Sequence, residues 1–399
     1  MLLLCIGLVA SSSAALAPPQ APLLRRATPA AFGTRTGAVV LQEKVVKLDG
    51  SEAGLASYPE QSRSFRRTVY GHNEWVKHRD TSRFFRNFAS TLDSGVVRSL
   101  YTEILAVTFV ACFIVGANML IAGYDDLSGI HHAAPYPIWL VKDFSLPAFP
   151  FSISMGALSL LLVFRTNTAY SRWNEARTLW GGIVNTCRNL GRQGNSYFAE
   201  NDEGQQLRLQ LSSQIAMFPK SLRSFLRGAS DDDKTYREAV ELLGERSAKA
   251  LMNSKNRPVF VTNLISATYT RAKLNSRDRY VMDENTAKLV DYLGACERIF
   301  RSPIPLVYTR HTGRFLTSFM LLLPLGLWGP MANSWNHWAT IPASATLALF
   351  LFGIEELGVQ IEEPFGLLPL ESLCDNSIEA VVADMRASYD KDHFGPLQG

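Results

Sequence analysis

Four uncharged stretches punctuate the chain, at residues 104–122, 146–164, 315–335 and 338–354. A helix needs about 20 mainly apolar residues to cross a bilayer. The first two runs meet that length. The third is interrupted by Pro324 and Pro330, and the fourth is slightly short and ends at Glu355-Glu356. A single run of this kind is compatible with a buried helix of a large soluble protein. Four of them predict an integral membrane protein whose spans form two hairpins.

The second run is the most informative. From Leu146 to Phe164 it is uncharged, then it passes without a break into a polar helix carrying Arg165, Arg172 and Arg177. A span that continues as a water-facing helix can join a pore to a soluble vestibule. Within the run, Ile153, Gly156 or Ala157, Leu160 and Phe164 recur every three or four residues, so they share one stripe of the helix. Such a stripe suits ordinary helix packing. With several copies of the chain around an axis it also suits an apolar neck, and apolar constrictions gate by dewetting. The positive ring edge of Phe164 is suited to meeting a partly dehydrated anion.

Between Arg165 and Pro303 the only prolines inside the segment are Pro219 and Pro258, and no alternating strand pattern occurs. The pattern predicts four or five amphipathic helices packed as a bundle, with turns at 191–204 and 228–233. The organisation expected is therefore an addressing segment over 1–45 and an N-terminal soluble segment over 46–99. A first membrane hairpin follows over 100–164, with a pore helix at 146–164. A helical vestibule spans 165–314, a second hairpin 315–354, and a C-terminal tail 355–399.

Composition sharpens this. Hydrophobic residues make up 47% of the 399 and charged residues 19%, which is apolar for a soluble chain of this size. The net charge of +4 conceals a split. Residues 165–314 hold 24 Lys/Arg against 15 Asp/Glu, whereas residues 315–399 hold 2 against 10. Basic segments before the first span and between the second and third place both termini and the centre in one compartment by the positive-inside rule. A basic vestibule concentrates anions by field focusing.

Catalytic and cofactor chemistry finds no support. His131-His132 near Asp125 and Asp126 lacks helical spacing and reads as a solvated loop rather than a metal site. Glu355-Glu356 and Glu362-Glu363 share a helix face, yet no Glu-x-x-His accompanies them as a di-iron bundle requires. Nucleotide-binding and hydrolase motifs are absent. No cofactor and no metal are expected, and the chain is not expected to be an enzyme. Basic residues spread along helices beside a membrane make nucleic acid a poor partner. No span carries the spaced arginines of a voltage-sensing helix. The five cysteines, Cys5, Cys112, Cys187, Cys296 and Cys374, show no zinc or Cys-x-x-Cys spacing, which fits a reducing compartment.

The N-terminus reads as an address. Leu2–Ala10 is an apolar core followed by small residues, too short to span. A stretch with Arg25, Arg26 and Arg35 and no acid until Glu43 follows. A signal peptide followed by a transit peptide resembles the two-part address of algae with plastids of eukaryotic origin. A plain secretory signal followed by a linker is the alternative.

Three segments carry a family resemblance. Leu-Val-Phe-Arg-Thr-Asn-Thr-Ala-Tyr-Ser-Arg-Trp-Asn-Glu-Ala-Arg (162–177) includes Arg165, Asn167, Tyr170, Arg172, Glu175 and Arg177. A second segment, 295–315, holds Ala-Cys-Glu-Arg-Ile and the run from Pro303 to Phe315 with Pro305, Tyr308 and Arg314. A third, Glu-Glu-Leu-Gly-Val-Gln-Ile-Glu-Glu-Pro-Phe-Gly (355–366), holds Glu356, Glu362, Glu363, Pro364, Phe365 and Gly366. Together they resemble bestrophin-like proteins of plants, algae and bacteria, and are similar above all to chloroplast voltage-dependent chloride channels of thylakoids.

The resemblance implies an all-α fold with four transmembrane helices and a helical vestibule, assembled as a homopentamer around one pore. It places the neck at Gly156, Leu160 and Phe164. Where animal members carry a bulky apolar residue this chain has Gly156, so the neck is wider or Ile153 takes over. A second constriction is implied near Thr286, Leu289 and Val290. Animal members clasp calcium with a run of acids after Asn-Pro-Phe-Gly. Here the sequence reads Glu-Pro-Phe-Gly-Leu-Leu-Pro-Leu-Glu-Ser-Leu (363–373), which cannot supply six to eight oxygen ligands. The remaining acids, Glu355, Glu356, Glu362 and Glu363, are expected to satisfy half-buried arginines.

The function expected is a chloride channel of a plastid membrane, the thylakoid, with another plastid envelope membrane as the alternative, that relaxes the electrical part of the proton-motive force. Its partners would be the lipid bilayer and monovalent anions. A bicarbonate channel of a carbon-concentrating mechanism is the alternative ion assignment. A non-conducting membrane scaffold is the alternative class.

Overall fold

The computed structural model describes residue 63 and residues 67–91, 94–125, 130–136 and 142–387. The expected address at 1–45 lies outside the described residues. Short helices α1 (His72–Arg79), α2 (Arg83–Ala89) and α3 (Gly95–Ser99) lead into α4 (Tyr101–Ala122). Two-residue strands β1 (Tyr124–Asp125) and β2 (His131–His132) pair antiparallel, Tyr124 facing His132 and Asp125 facing His131. The adjacent histidines thus sit in a small hairpin rather than an open loop.

Next comes α5 (Ala148–Tyr197), 50 residues without interruption, about 75 Å long at 1.5 Å per residue. The expected continuity across Phe164 and Arg165 is present, so the boundary between hairpin and vestibule falls inside one rod. The turn expected at 191–204 is confined to 198–201, and the helix continues through its first seven residues. Gly191 and Gly194 keep it packed: a Cβ on Gly191 would come within 2.8 Å of Met385 Sδ, and one on Gly194 within 2.6 Å of a Leu211 methyl. These glycines permit close approach rather than a bend.

The vestibule bundle adds α6 (Asp202–Arg227), α7 (Asp232–Leu243), α8 (Glu245–Asn253), α9 (Arg257–Arg271) and α10 (Ser276–Arg301). Asn201, Asn256 and Asn275 accept hydrogen bonds from the first turns of α6, α9 and α10 at 2.8, 3.3 and 2.8 Å, satisfying donors that a helix start leaves free. Pro258 opens α9, where its missing N–H costs nothing. Pro219 instead lies inside α6. The core of this bundle gathers Trp180, Ile183 and Leu190 of α5, Ile215 and Phe218 of α6, Ile265 of α9 and Leu289 of α10.

The second hairpin is α11 (Leu306–Leu327) and α12 (Thr340–Glu362). Among the described residues, α4, the apolar part of α5 and α12 are long and apolar enough to cross a membrane. The expected third span needs correction. Helix α11 ends at Leu327, so Pro330 lies in the turns that follow, and its first turns carry Arg310 and Arg314. Its uncharged part, 315–327, rises only about 20 Å. It packs with α4, α5 and α12 through Leu316, Phe319, Met320 and Leu323 against Leu158, Leu162, Val107 and Ala348. The loop from α11 to α12 is held by Trp328 stacked on His337 at 3.6 Å. On the same side of the hairpins, buried Asn118 of α4 bonds both backbone groups of Phe144, at 3.1 and 2.6 Å. The Leu146 N–H donates to Leu325 O at 3.0 Å. Beyond α12 an elbow at 363–369 leads through a π-helical stretch (Leu373–Ile378) to α13 (Glu379–Ala387).

Trp180 is fully buried where α5 crosses the bundle core. Replacing it with Ala is expected to lower stability by about 3–5 kcal/mol, read as a fall in the thermal midpoint of the detergent-solubilised protein.

Candidate functional site

On α5 the chain buries one face and leaves the opposite one open. Leu158, Leu162, Arg165, Ala169, Ala176 and Trp180 are buried against the rest of the subunit. Ile153 is 63% exposed, Leu160 55% and Phe164 54%, and Gly156 and Ala157 are also exposed. The predicted stripe is thus intact and uncovered. A Cβ placed on Gly156 would meet nothing within 4 Å, so this position is open on the subunit surface.

The arginines that follow the stripe turn away from it. Arg165 is 1% exposed, and its Nε lies 3.0 Å from Glu355 Oε2 of α12. The pair is close, but its angle falls outside hydrogen-bond geometry, and Nη1 and Nη2 find no partner among the described residues. Arg172 clamps three carbonyls: Nε donates to Glu362 O at 3.0 Å, and Nη1 and Nη2 donate to Ser302 O and Ile299 O, each at 2.6 Å. It therefore satisfies the carbonyl ends of α10 and α12 together. Arg298 Nη2 donates to Glu175 at 2.5 Å. Tyr170 is exposed and stacks on Trp173 at 6.0 Å. Asn167 is exposed. Arg177 and Arg314 are exposed and make no ion pair among the described residues.

The second segment fastens α11. Pro305 caps it, its carbonyl accepting from Tyr308 and Thr309 N–H at 3.0 and 3.3 Å, and the Tyr308 hydroxyl donates to Leu161 O at 3.0 Å. In the third segment Glu356 accepts from Gln360 and from Ser99 Oγ, the latter at 3.4 Å. Glu362 accepts from Ile304 N–H at 3.0 Å. Glu363 accepts from Phe365 and Gly366 N–H at 2.9 and 3.2 Å, and Pro364 O closes the turn to Leu368 N at 2.9 Å. Phe365 is a core residue. Within the subunit Glu356 and Glu362 are bonded by neutral side chains or backbone groups rather than by arginines.

The elbow is also gripped by basic residues that no local pattern announced. Arg63 bonds Glu363 through its carbonyl at 2.7 Å and through its carboxylate. Arg67 reaches Gly366 O at 2.9 Å and Glu371 at 3.1 Å. Arg227 of α6 bonds Leu368 O at 3.1 Å and both oxygens of Glu371. Lys220 joins Asp375 and Glu379 at 3.0 Å each. Burial alone would push the Lys220 ammonium pKa down, but these two carboxylates outweigh it and the net shift is upward. Glu371 behaves in mirror fashion: burial favours its neutral form, and the Arg227 guanidinium overrides that and holds its pKa down at about 2. In this stretch, where animal relatives were expected to differ by an acidic clasp, Glu363 and Glu371 are both engaged by arginine.

Thr286 and Leu289, expected at a second constriction, are 5% and 0% exposed, inside the bundle. Thr286 donates to Met282 O at 3.0 Å. They lie on the inward side of α10, Thr286 beside Tyr269 of α9 and Leu289 in the bundle core. Val290, on the neighbouring face, is 42% exposed and is the one of the three that can face a lumen. Cys112, Cys187, Cys296 and Cys374 are free thiols.

The site and fold define a helical membrane protein with a long helix joining a lipid-facing bundle to a water-facing one. The sequence model described as Bacterial/Fungal Bestrophin protein matches residues 74–383; the chain belongs to the bestrophin family. It is 36% identical to an Arabidopsis thaliana protein named voltage-dependent chloride channel 1, chloroplastic, over 78% of this chain and 71% of that one. A Synechocystis protein named as a voltage-dependent anion channel-forming protein is 32% identical over 61% of this chain and 78% of its own. A crystal structure of a bacterial bestrophin homolog from Klebsiella pneumoniae superposes with a TM-score of 0.60 at 25% identity, covering 72% of this chain and 98% of that one. The chain is a channel-family member and not an enzyme.

Two outcomes follow for the scaffold. Glu355→Ala leaves the Arg165 guanidinium buried without a counter-charge, and is expected to destabilise the subunit by about 3–5 kcal/mol, seen as loss of folded protein in a thermal melt. Glu371 has a depressed folded pKa, so its stabilisation is complete above the unfolded value of about 4.3 and is lost as pH falls toward 2. Glu371→Gln should lower the melting temperature at pH 7 and flatten its fall between those limits. An unchanged acid profile would show that the Arg227 pair does not stabilise the elbow.

Proposed function

We propose that the chain is the subunit of a pentameric chloride channel of a plastid thylakoid membrane. The observation that carries this is the uncovered α5 stripe in a chain of this family. Ile153, Gly156, Ala157, Leu160 and Phe164 have no cover in their own subunit, while the opposite face of the same helix is packed. Five copies around an axis turn such a stripe into a narrow apolar ring whose wetting sets conduction. The surplus of positive charge in the segment beyond it supports anions over cations.

The plastid assignment is supported by the relatives named chloroplastic and by the two-part address in the sequence. Chloride moving passively through a thylakoid pore would compensate the charge that proton transport separates, lowering the electrical part of the proton-motive force.

Purified protein in liposomes tests the reading. Chloride efflux with unitary currents is expected, and a parallel bicarbonate assay assigns the ion. Leu160→Ala with Phe164→Ala removes two rings of bulk and should raise chloride conductance several-fold, or lower anion selectivity. Wild-type currents in that double variant would sink the neck assignment. A monomeric particle, or vesicles impermeable to halide, would sink the channel.

A further inference from the structure

The stripe does not end at Phe164. At 100° per residue, Asn167, Ser171, Asn174, Thr178, Asn185 and Asn189 all lie within about 40° of the direction of Leu160. Every one of them is exposed. The face is therefore continuous along α5, apolar up to Phe164 and neutral polar for about 33 Å beyond it. No charged residue lies within that angle until Arg192. Arg165 and Arg172 point elsewhere, to Glu355 and to the carbonyls of α10 and α12. Glu175, on the shoulder of the face, is paired with Arg298. The side chains of Asn167, Ser171 and Asn174 make no hydrogen bond within the subunit among the described residues, and only the Asn174 backbone carbonyl is used, by Thr178.

We propose that this ladder of neutral amides and hydroxyls is the anion-conducting surface beyond the neck, with Asn167 and Asn174 as its selectivity-determining positions. The inference rests on the proposed pore and deepens it. An anion leaving an apolar neck must regain donors. Asn offers two N–H groups, and Ser and Thr one O–H each. An exposed arginine would also donate, but would hold the ion; conduction requires sites weak and numerous enough to release it. The chain turns its nearest arginines inward and presents amides instead. The basic surplus of the segment then acts from a distance, through the field, while the contacts themselves stay neutral.

Replacing Asn174 or Asn167 with Asp changes shape little and places a ring of negative charge on the path. Each variant is expected to lower single-channel chloride conductance roughly tenfold at low salt, the scale on which surface fields change local ion concentration. Conductance should recover toward wild type in 1 M salt, where screening acts within about 3 Å. Size exclusion verifies assembly. If Asp disrupts it, Asn174→Cys in a Cys112→Ser background replaces it, with current block by a membrane-impermeant anionic thiosulfonate as the expected result. If Phe164→Ala alters conduction while both Asp variants keep wild-type conductance and selectivity, the ladder is off the path and the neck stands. If assembled Asn174→Cys protein is not modified, the face is a dry contact between subunits and the inference fails. If neither the Phe164 nor the Asn variants change the current, the pore assignment itself falls.

Discussion

Arg165 stands one residue past an uncharged run of 19 residues from Leu146 to Phe164, where α5 leaves the apolar bundle. Isolated ionic groups are too costly to bury there, several kcal/mol each even after relaxation. The chain meets this by delivering Glu355 from α12 at the same level, 3.0 Å from the guanidinium. The pairing fixes how α12 lies along α5. With that depth set, Arg172 reaches the ends of α10 and α12 from the same helix. The vestibule is thereby locked to the membrane bundle through one rod rather than a flexible linker.

The opposite charges of the central and C-terminal segments find their purpose in the same arrangement. Basic residues of α5 and α6 collect the acids that follow residue 354: Arg165 takes Glu355, Arg227 takes Glu371, and Lys220 takes Asp375 and Glu379. Arg223, fully buried, is neutralised within its own region by Asp231 and Glu238. Part of the basic surplus is therefore internal cement. What remains exposed, such as Arg177, Arg192 and Arg314, is what an ion in solution would sense.

Much of this was legible in the sequence because it is periodic. The passage of one helix from apolar to polar character, the stripe from Ile153 to Phe164 and the helical vestibule all follow from spacing at three and four residues. The misreadings have separate causes. The turn at 198–201 was placed to start too early, at Gly191, because glycine usually marks one, yet the missing Cβ atoms of Gly191 and Gly194 here admit Met385 and Leu211. The third span read as running to Trp335 because composition ignores where a helix stops, and α11 stops at Leu327. Thr286 and Leu289 followed from likeness alone, without a test of which face of α10 they occupy. The grip of Arg63 on Glu363 joins residues 300 apart, a separation at which no local pattern exists.

An uncovered face of this length constrains the assembly. A single apolar ring position such as Leu160 at the surface needs no explanation, since monomers expose such residues freely. Lipid would also accept Ile153, Leu160 and Phe164. It would not accept Asn167, Ser171 and Asn174 in line with them on the same rigid helix. Water would accept the amides but not the apolar half. Lipid followed by water suits such a face, and so does a lumen closed by other copies of the same face, dry at the neck and wet beyond it, which is the environment the proposed pore supplies. Phe109 and Phe113 on α4 are exposed on an apolar helix that does not extend into the vestibule bundle, and hydrocarbon suits them.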